Sequence, residues 1–341
     1  MALLYNRVNG KILKQRMAQD STPRTTLSFY QYWQIAQPEK FRDDLYRLFS
    51  HLHVLGRIYV ATEGINAQLS VPASQLPDFI AALYSIDFLN GVRLNYAIED
   101  NGKSFFKLAI KVRHKIVSDG LNDATFDVTN KGTHLSAVEF NRLAENPDTI
   151  IVDMRNHYES EVGHFENAIC PDVDTFRQAL PVVENMLRGN ENKHIVMYCT
   201  GGIRCEKASA YFKHKGFKNV YQLNGGIIEY ARQVKEQNLP NKFRGKNFVF
   251  DARMGEHISS EIISNCHQCG KPADIHVNCA NDGCHLLFIQ CSSCAQQYEG
   301  CCSEECRQTI HLPPDVQKQK RKGWYKGLQI FRKGRKNAEA V

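Results

Sequence analysis

Apolar residues recur along this chain at two spacings, and the change from one to the other marks the predicted elements. After Pro38 the spacing is helical and places five apolar residues on one face: Phe41, Leu45, Leu48, Phe49 and Leu52. Residues 57–61 and 65–69 are short runs rich in apolar residues, and residues 62–64 lie between them. Such runs predict two strands joined by a turn.

The same reasoning extends over residues 25–118. A strand near residues 27–30 precedes the first helix, a second helix covers residues 76–83, and further strands lie near residues 92–98 and 105–117. The resulting order is βαββαβ with one additional strand. This order is typical of a ferredoxin-like or acylphosphatase-like α+β domain.

The last of these strands alternates strictly between apolar and mostly basic positions. Its basic side chains are Lys107, Lys111 and Arg113. One face of the strand would therefore join the core while the other presents positive charge. Such a face either binds nucleic acid or is simply solvated, and the alternation alone does not decide between the two.

Beyond a predicted linker over residues 119–133, strands and helices alternate through residues 134–240. Ser136 and Glu139 form the capping-box pattern that opens the first helix. Helical patterns over residues 175–188, 206–215 and 227–236 separate strands near residues 150, 194 and 219. This alternation predicts a parallel sheet covered by helices on both faces.

Cys199 is predicted to lie where one of those strands meets the next helix. Backbone N–H groups and the positive end of a helix dipole converge at such a turn. An adjacent arginine adds positive charge, and the combined field is expected to lower the pKa of the thiol. The loop that follows the cysteine consists of Thr200, Gly201, Gly202, Ile203 and Arg204.

Three further motifs frame this loop: IIVDMR at residues 150–155, GHFENAI at residues 163–169 and VYQLNGGI at residues 220–227. Their order and content resemble a rhodanese domain. The resemblance implies that Cys199 carries a persulfide, and the C-x4-R loop is one residue shorter than the loop of related phosphatases. Cys205 departs from the small hydroxyl residue common in that family. Asp153 and Arg155 either support the loop or form a structural ion pair.

Residues 241–312 are predicted to form a small domain rich in cysteine. Pairs of thiolates two to four residues apart are typical of structural zinc sites, and two pairs complete one tetrahedral site. One or two zinc ions are expected, and interleaved pairs would form a cross-brace. His267, His276 and His285 are possible substitutes, and disulfides or a redox relay to Cys199 remain alternatives. The candidate ligands are Cys266, Cys269, Cys279, Cys284, Cys291, Cys294, Cys302 and Cys306.

The net charge of +7 is concentrated near the end of the chain. Residues 316–338 hold nine Lys or Arg and no acidic residue. Within this predicted basic tail, residues 313–341, the candidate RNA contacts are Lys320, Arg321 and Lys322. Cations interspersed with aromatic residues suit nucleic acid, although a solubilising tail has the same composition. Residues 1–24 are a predicted N-terminal extension.

Composition favours a cytoplasmic protein that does not enter a membrane. Hydrophobic residues make up 43% and charged residues 23% of the 341 residues, as in ordinary soluble proteins. No apolar run is long enough to span a bilayer, and the first residues lack the pattern of a signal peptide. Clustered cysteines beside a predicted thiolate suit a reducing compartment.

The three-part layout is more restrictive than the rhodanese motifs alone. GRIYVATEGINA at residues 56–67, CEKA at residues 205–208, HVNCAN at residues 276–281 and CHLLF at residues 284–288 resemble the rhodanese-related tRNA uridine hydroxylase family. The resemblance spans about residues 25–306. It implies hydroxylation of the wobble uridine of tRNA at carbon 5, with molecular oxygen as co-substrate and Cys199 as the reactive residue. We identified no flavin, haem or non-haem iron motif in the sequence.

Two other functions remain open from the residues themselves. A rhodanese loop also suits a sulfurtransferase that passes a persulfide to a partner. A zinc-dependent RNA-binding adaptor is a third possibility, but the intact loop from Cys199 to Arg204 argues against it.

Overall fold

The computed structural model describes residues 4–121, 126–322 and 329–331. Its helices are α1 (Gly10–Gln19), α2 (Pro38–His51), α3 (Leu76–Tyr84), α4 (Ala137–Ala144), α5 (His157–Ser160), α6 (Phe176–Leu187), α7 (Ile203–His214), α8 (Gly226–Gln237), α9 (Ser292–Gln297), α10 (Glu304–Ile310) and α11 (Pro314–Lys320). None of these described helices is long and apolar enough to cross a membrane.

The strands are β1 (Arg24–Tyr32), β2 (Leu55–Ala61), β3 (Gly64–Pro72), β4 (Asn95–Tyr96), β5 (Leu108–Val112), β6 (Thr133–Leu135), β7 (Thr149–Asp153), β8 (Gly163–Phe165), β9 (His194–Tyr198), β10 (Asn219–Leu223), β11 (Phe243–Asn247), β12 (Glu256–His257), β13 (His276–Asn278) and β14 (Leu287–Ile289). They form four sheets.

The N-terminal sheet has the order β4-β1-β3-β2-β5, and β5 is the additional strand, parallel to β2 at one edge. Its order without β5 is that of a ferredoxin-like sandwich, which confirms the predicted α+β class. Apolar side chains of α2 and α3 pack with the strands in one core. The two strands predicted over residues 92–98 and 105–117 are shorter in the structure, because only β4 and β5 pair with neighbours there.

Helix α1 lies in the region predicted as an N-terminal extension, residues 1–24. The side chain of Asn9 accepts a hydrogen bond from the Lys11 N–H at 2.9 Å and so caps its first turn. At the other end, Lys103 donates to the backbone oxygens of Met17, at 2.7 Å, and Asp20. These tertiary contacts hold a short helix that its own residues predict only weakly.

The central sheet is entirely parallel, in the order β6-β10-β9-β7, as the alternation of strands and helices predicted. Helices α6 and α7 pack on one face, and α4 and α8 pack on the other. The capping box of Ser136 and Glu139 opens α4 as expected. Strand β9 ends at Tyr198, so Cys199 lies at the carboxyl edge of the sheet, where open α/β sheets place their ligands.

The cysteine-rich region contains the hairpin of β13 and β14 and the short helices α9 and α10. Residues 329–331, within the predicted tail, extend this region: the Leu287 N–H donates to the Gln329 oxygen at 2.8 Å, and the Phe331 N–H donates to the Leu287 oxygen at 3.0 Å. The first part of the predicted tail forms α11. Part of the basic segment is therefore docked on the cysteine-rich region.

A buried lysine joins the N-terminal and central parts. Lys207 on α7 is 2% exposed and donates to Glu63 at 2.8 Å and to Asp119 at 2.7 Å. Glu63 also accepts a hydrogen bond from the Ile116 N–H at 2.7 Å. Because the ammonium group is removed from water, it has to be paired, and Asp119 is shared with a second cation, Lys115, at 2.6 Å. The open face of the N-terminal sheet is thereby held over the Cys199 loop.

Candidate active site and candidate metal centres

The loop from Cys199 to Gly202 curls around the sulfur atom. Gly202 has φ +99°, and its N–H donates to Cys199 Sγ at 3.2 Å. The carbonyls of the loop are bound by the start of α8: the Ile227 N–H donates to the Cys199 oxygen at 3.0 Å. Gly226 must be glycine there, because a Cβ atom would lie 2.4 Å from that oxygen. The loop is thus fixed by the backbone on both sides.

Arg204 is held by a carboxylate that the sequence did not single out. Its guanidinium donates to the two oxygens of Glu159 at 2.6 and 2.8 Å, and Glu159 is fully buried. The Glu159 carboxylate also accepts from the Asn156 N–H at 3.0 Å. This two-point pair fixes the plane of the guanidinium beside the loop. The only sequence signal for Glu159 is its place three residues after Asn156, at the start of a helix.

The sulfur of Cys199 lies in an environment that favours the thiolate. Burial alone raises the pKa of a thiol. Here it is outweighed by the hydrogen bond from the Cys205 thiol, the positive charge of Arg204 and the N–H groups of Cys205 and Arg204, which together lower the pKa of Cys199 to about 6. Cys199 is therefore mostly ionised at pH 7.

Cys205 sits in the first turn of α7 and is fully buried. Burial and the neighbouring Cys199 sulfur raise the pKa of its thiol well above the ordinary value. It therefore keeps its proton and donates a hydrogen bond to the Cys199 thiolate. A hydroxyl at this position would also donate a hydrogen bond to the sulfur. Cys205 can therefore replace the small hydroxyl residue that is common in rhodanese domains.

A cavity of about 310 Å³ opens above the sulfur. The loop forms its floor, which consists of Cys199, Thr200, Gly201, Ile203 and Arg204. Its roof is the open face of the N-terminal sheet, and the segment after β11 closes one side. The polar and aromatic side chains of roof and side include Tyr30, Arg57, Tyr59, Asn66, Gln68, Asn95, Phe250 and Arg253, together with the carboxylates of Asp251 and Glu256.

The roof is in direct contact with the loop. The Tyr32 hydroxyl donates to the Ile203 oxygen at 3.2 Å, and the Tyr30 hydroxyl donates to Glu206 at 3.1 Å. A Cβ atom on Gly202 would lie 2.8 Å from the Tyr30 oxygen. Gly202 is therefore required both for its positive φ and for the close approach of the sheet.

Asp153 and Arg155 lie behind the loop. Arg155 donates to Asp153 at 2.6 Å and to the Gly163 oxygen at 2.6 Å, and both side chains are fully buried. Their partners are each other and the backbone of β8, not Cys199. This is the arrangement of a structural ion pair, and a supporting role in the reaction stays a prediction.

The basic residues predicted to bind RNA fall into two groups in the structure. Lys107, Lys111 and Arg113 are exposed at the edge of the N-terminal sheet, on the face that roofs the cavity. The Arg113 guanidinium lies 5.7 Å from the ring centre of Tyr59, which lines the cavity. Arg321 instead pairs with Asp282 at 3.3 Å, and Lys320 and Lys322 are exposed beside it.

Among the described residues, eight cysteines form two groups of four. Within each group, all sulfur atoms lie within 4.8 Å of one another. The groups interleave along the chain in the cross-brace order. Neighbouring sulfurs are 3.7 Å apart in Cys269–Cys291 and 3.6 Å apart in Cys284–Cys302, close to the roughly 3.8 Å that a tetrahedral zinc–sulfur site imposes. The two groups are Cys266, Cys269, Cys291 and Cys294, and Cys279, Cys284, Cys302 and Cys306.

Neither cysteine group needs a histidine. His267 pairs with Glu161 at 2.8 Å, and its ring stacks on Phe331 at 4.1 Å between ring centres. His276 is buried against Phe248, and burial lowers its pKa to about 3. His285 is exposed. All twelve cysteines are free thiols, and the two groups are suited to hold metal ions.

Comparison with known proteins identifies relatives that match this chain almost end to end. A Photorhabdus laumondii protein named tRNA uridine(34) hydroxylase is 57% identical over 336 residues, covering 98% of this chain and 96% of that protein. A Yersinia pestis protein of the same name is also 57% identical, with 98% and 95% covered.

Family models divide the chain in three. An acylphosphatase-like domain matches residues 24–116, a rhodanese-like domain residues 136–233 and a rhodanese C-terminal domain residues 244–307. Among solved structures, the rhodanese-like domain of an Anabaena sp. protein is 18% identical, with 33% of this chain and 78% of that chain covered and a TM-score of 0.27. A Staphylococcus aureus rhodanese-like protein is 24% identical, with 29% and 90% covered and a TM-score of 0.24.

The Cys199 thiol should ionise near pH 6, because the donors around it outweigh its burial. We expect its rate of alkylation by iodoacetamide to reach half its maximum near pH 6, against about 8.5 for an ordinary cysteine. The measurement is peptide-resolved mass spectrometry across pH, with Cys199→Ser to assign the signal. Replacing both charges in Glu159→Gln/Arg204→Gln should move the midpoint upward. A midpoint above pH 8 in the protein without substitutions would show that the donors around Cys199 do not outweigh its burial.

Proposed function

This chain belongs to the family of tRNA uridine(34) hydroxylases, and from that membership we propose that it hydroxylates the wobble uridine of tRNA at carbon 5. Molecular oxygen is the co-substrate of this proposal, and Cys199 is the reactive residue. The observation that carries the proposal is a thiol with a lowered pKa at the floor of a cavity roofed by polar and aromatic side chains. The reaction is placed in the cytoplasm, where thiols stay reduced.

The proposed role of Cys199 follows from the chemistry of uracil. Carbon 6 of the ring is an electrophilic centre, and addition of a thiolate there leaves an electron pair shared by carbon 5 and the carbonyl group. Carbon 5 then gains an oxygen atom derived from dioxygen, and loss of the C5 proton with expulsion of the thiolate from carbon 6 restores the C5–C6 double bond. The net conversion places one oxygen atom of dioxygen in the C5–H bond and reduces the other to water with two electrons and two protons from an external donor.

Arg204 acts in this scheme through charge and position. Its guanidinium favours the thiolate, and Glu159 prevents it from swinging into the cavity. Loss of the arginine leaves the N–H groups around the sulfur in place, so part of the thiolate stabilisation remains. Arg204→Ala should therefore cause a severe but incomplete loss of activity, and it also leaves a buried carboxylate without its partner.

A single unpaired base, such as the wobble base, suits a cavity of about 310 Å³ above a buried thiol. A base in a duplex has to be unpaired before it reaches a buried thiol, whereas a base in the anticodon loop is already single-stranded. The basic edge of the N-terminal sheet, with Lys107, Lys111 and Arg113, lies on the cavity side and would contact the flanking phosphates. In this proposal Lys320, Arg321 and Lys322 form a second contact with the tRNA, away from the basic edge of the N-terminal sheet.

A persulfide carrier is the second candidate function. The N–H groups around Cys199 suit an outer sulfur as well as a thiolate, as the rhodanese-like motifs imply. A carrier, however, has to present its sulfur to the thiol of a partner protein. Cys199 is fully buried beneath the N-terminal sheet, and only a small ligand fits in the cavity above it. This burial favours the hydroxylase.

Zinc is the metal that we propose for the two cysteine groups. Four thiolates with neighbouring sulfurs 3.6–3.8 Å apart fit tetrahedral zinc, and a closed set of four protein ligands is typical of a structural site. The bound metal would cross-link segments that have little apolar core of their own. It has no direct part in the proposed reaction.

Cys199→Ser should abolish formation of 5-hydroxyuridine and leave the fold intact, because oxygen replaces sulfur with little change of volume. The measurement is mass spectrometry of tRNA nucleosides from a deletion strain that carries each variant. Cys301→Ser is a matched control, since Cys301 is also buried but lies outside both cysteine groups and the loop. Full modification in the Cys199→Ser strain would refute the assignment.

Neutralising the basic edge in Lys107→Gln/Lys111→Gln/Arg113→Gln should weaken tRNA binding by about tenfold or more. It should also reduce the slope of log affinity against log salt by roughly two, since each phosphate contact contributes about 0.7 to 0.9. The unfolding temperature should change little at these exposed positions. Lys320→Gln/Arg321→Gln/Lys322→Gln should give a smaller loss. If neither variant changes the affinity or the salt slope, these basic residues are solvated surface residues that do not bind tRNA.

The purified, reduced protein should contain about two zinc ions. Chelation should unfold the cysteine-rich region before the central domain, because metal binding supplies much of the folding free energy of such small units. Elemental analysis and hydrogen exchange measure the two effects. Cys269→Ser should remove about one ion and Cys301→Ser none. A metal-free protein with oxidised Cys266 and Cys269 in a fresh lysate would favour disulfides instead.

A further inference from the structure

A second cavity, of about 790 Å³, adjoins the first. It lies where α1, the start of β5 and the cysteine-rich region meet. Four residues line both cavities, so the two share a wall: Arg57, Phe105, Phe250 and Asp251. The proposed reaction at Cys199 uses only the first cavity.

The side chain of Phe250 forms the exposed part of this shared wall. It is 40% exposed, so part of its ring is accessible to a ligand. Phe248 supports it edge-on, with ring centres 5.3 Å apart, and the Arg204 guanidinium lies 5.9 Å from its ring centre. An aromatic ring supported from beneath and open to a cavity is a surface on which a flat ligand can stack.

The second cavity also carries an excess of positive charge. The ammonium groups of Lys14 and Lys107 lie 5.4 and 5.7 Å from the ring centre of Phe106 in its wall. The acidic residue in its lining, Asp251, is already paired with Arg253 at 2.9 Å. The cavity therefore suits a ligand that is both flat and anionic.

We propose that the second cavity binds the nucleotide next to the target uridine in the same single-stranded loop. The base of that nucleotide stacks on Phe250, and its phosphate faces Lys14 and Lys107. The target base enters the first cavity on the other side of the shared wall. This inference rests on the proposed function, since it requires an RNA loop at Cys199.

The chemistry of the two cavities favours a nucleotide over a purely apolar ligand. Stacking on an aromatic ring is available to any base, and lysines at the edge attract the phosphate without reading the sequence. Separating two adjacent bases across one wall also holds the target base out of its stack. The enzyme then recovers part of the unstacking cost by stacking the neighbouring base on Phe250.

The test is a coupling experiment with hairpin RNAs that carry the anticodon loop. One hairpin is intact, and two others have an abasic nucleotide directly before or directly after the target uridine. Each is titrated against the full-length protein and against Phe250→Leu, Phe250→Tyr and Trp33→Leu. Trp33 is a matched control because it is an exposed aromatic residue of the N-terminal domain that stacks on Phe88 and lines neither cavity.

We expect one of the abasic hairpins to bind about tenfold more weakly than the intact one, the low end of the range for base–aromatic stacking. Phe250→Leu should weaken binding of the intact hairpin by the same factor and show no further loss with that abasic hairpin. Phe250→Tyr should retain most of the affinity, and Trp33→Leu all of it. A purely structural role of Phe250 would not produce this coupling.

Two outcomes would overturn the proposal: no loss with either abasic hairpin, or losses that multiply when the protein and RNA changes are combined. Lys14→Gln adds an independent measurement and should lower the salt slope by about 0.7, while Lys40→Gln, an exposed lysine on α2, should not. If the intact hairpin fails to bind or is not hydroxylated in a Cys199-dependent way, the proposed function fails with it. Cys199-dependent hydroxylation without the coupling overturns only the assignment of the second cavity.

Discussion

The buried ammonium group of Lys207 is the constraint on which the candidate site depends. A lysine on the first turns of α7 lies directly behind the thiol loop, and folding removes it from water. It forms ion pairs with Glu63, from the turn between β2 and β3, and with Asp119, from the segment after β5. An unpaired charge at this depth would be strongly destabilising, so the N-terminal sheet has to lie against α7. The cavity above Cys199 is the space that this docking leaves.

The same docking sets the balance of effects on the sulfur. Covering Cys199 removes it from water and so opposes ionisation, yet the loop donors and Arg204 more than compensate for the burial. Donors fixed by backbone geometry need no reorganisation when the charge forms, which makes them more effective than water in a closed cavity. Covering the site and ionising the thiol are therefore compatible because the Cys205 thiol, the Arg204 charge and the backbone N–H groups of the loop act on the sulfur together.

The parts of the site that were predicted from the sequence are those encoded by local spacing. The Cys199 loop, the alternation that places it at a sheet edge and the paired cysteines all depend on residues close together in the chain. Glu159, Tyr30 and Phe250 were missed because each reaches the loop from a separate segment, and no local pattern marks a carboxylate that will face an arginine 45 positions away. Spacing likewise left the pairing of the cysteines open, since only the fold brings alternate pairs together.

The cysteine-rich region contacts the helix that carries Glu159. His267, between two cysteines of one group, pairs at 2.8 Å with Glu161, which caps the end of α5 two residues after Glu159. Phe331 stacks on His267, and its oxygen lies 3.4 Å from His157 Nε2 at the start of the same helix. A four-residue helix has little stability of its own, so these contacts at both ends help to fix it. Glu159 in turn fixes Arg204, and Arg204 favours the thiolate. The cysteine-rich region thus contributes to the ionisation of Cys199 through a continuous series of packed groups.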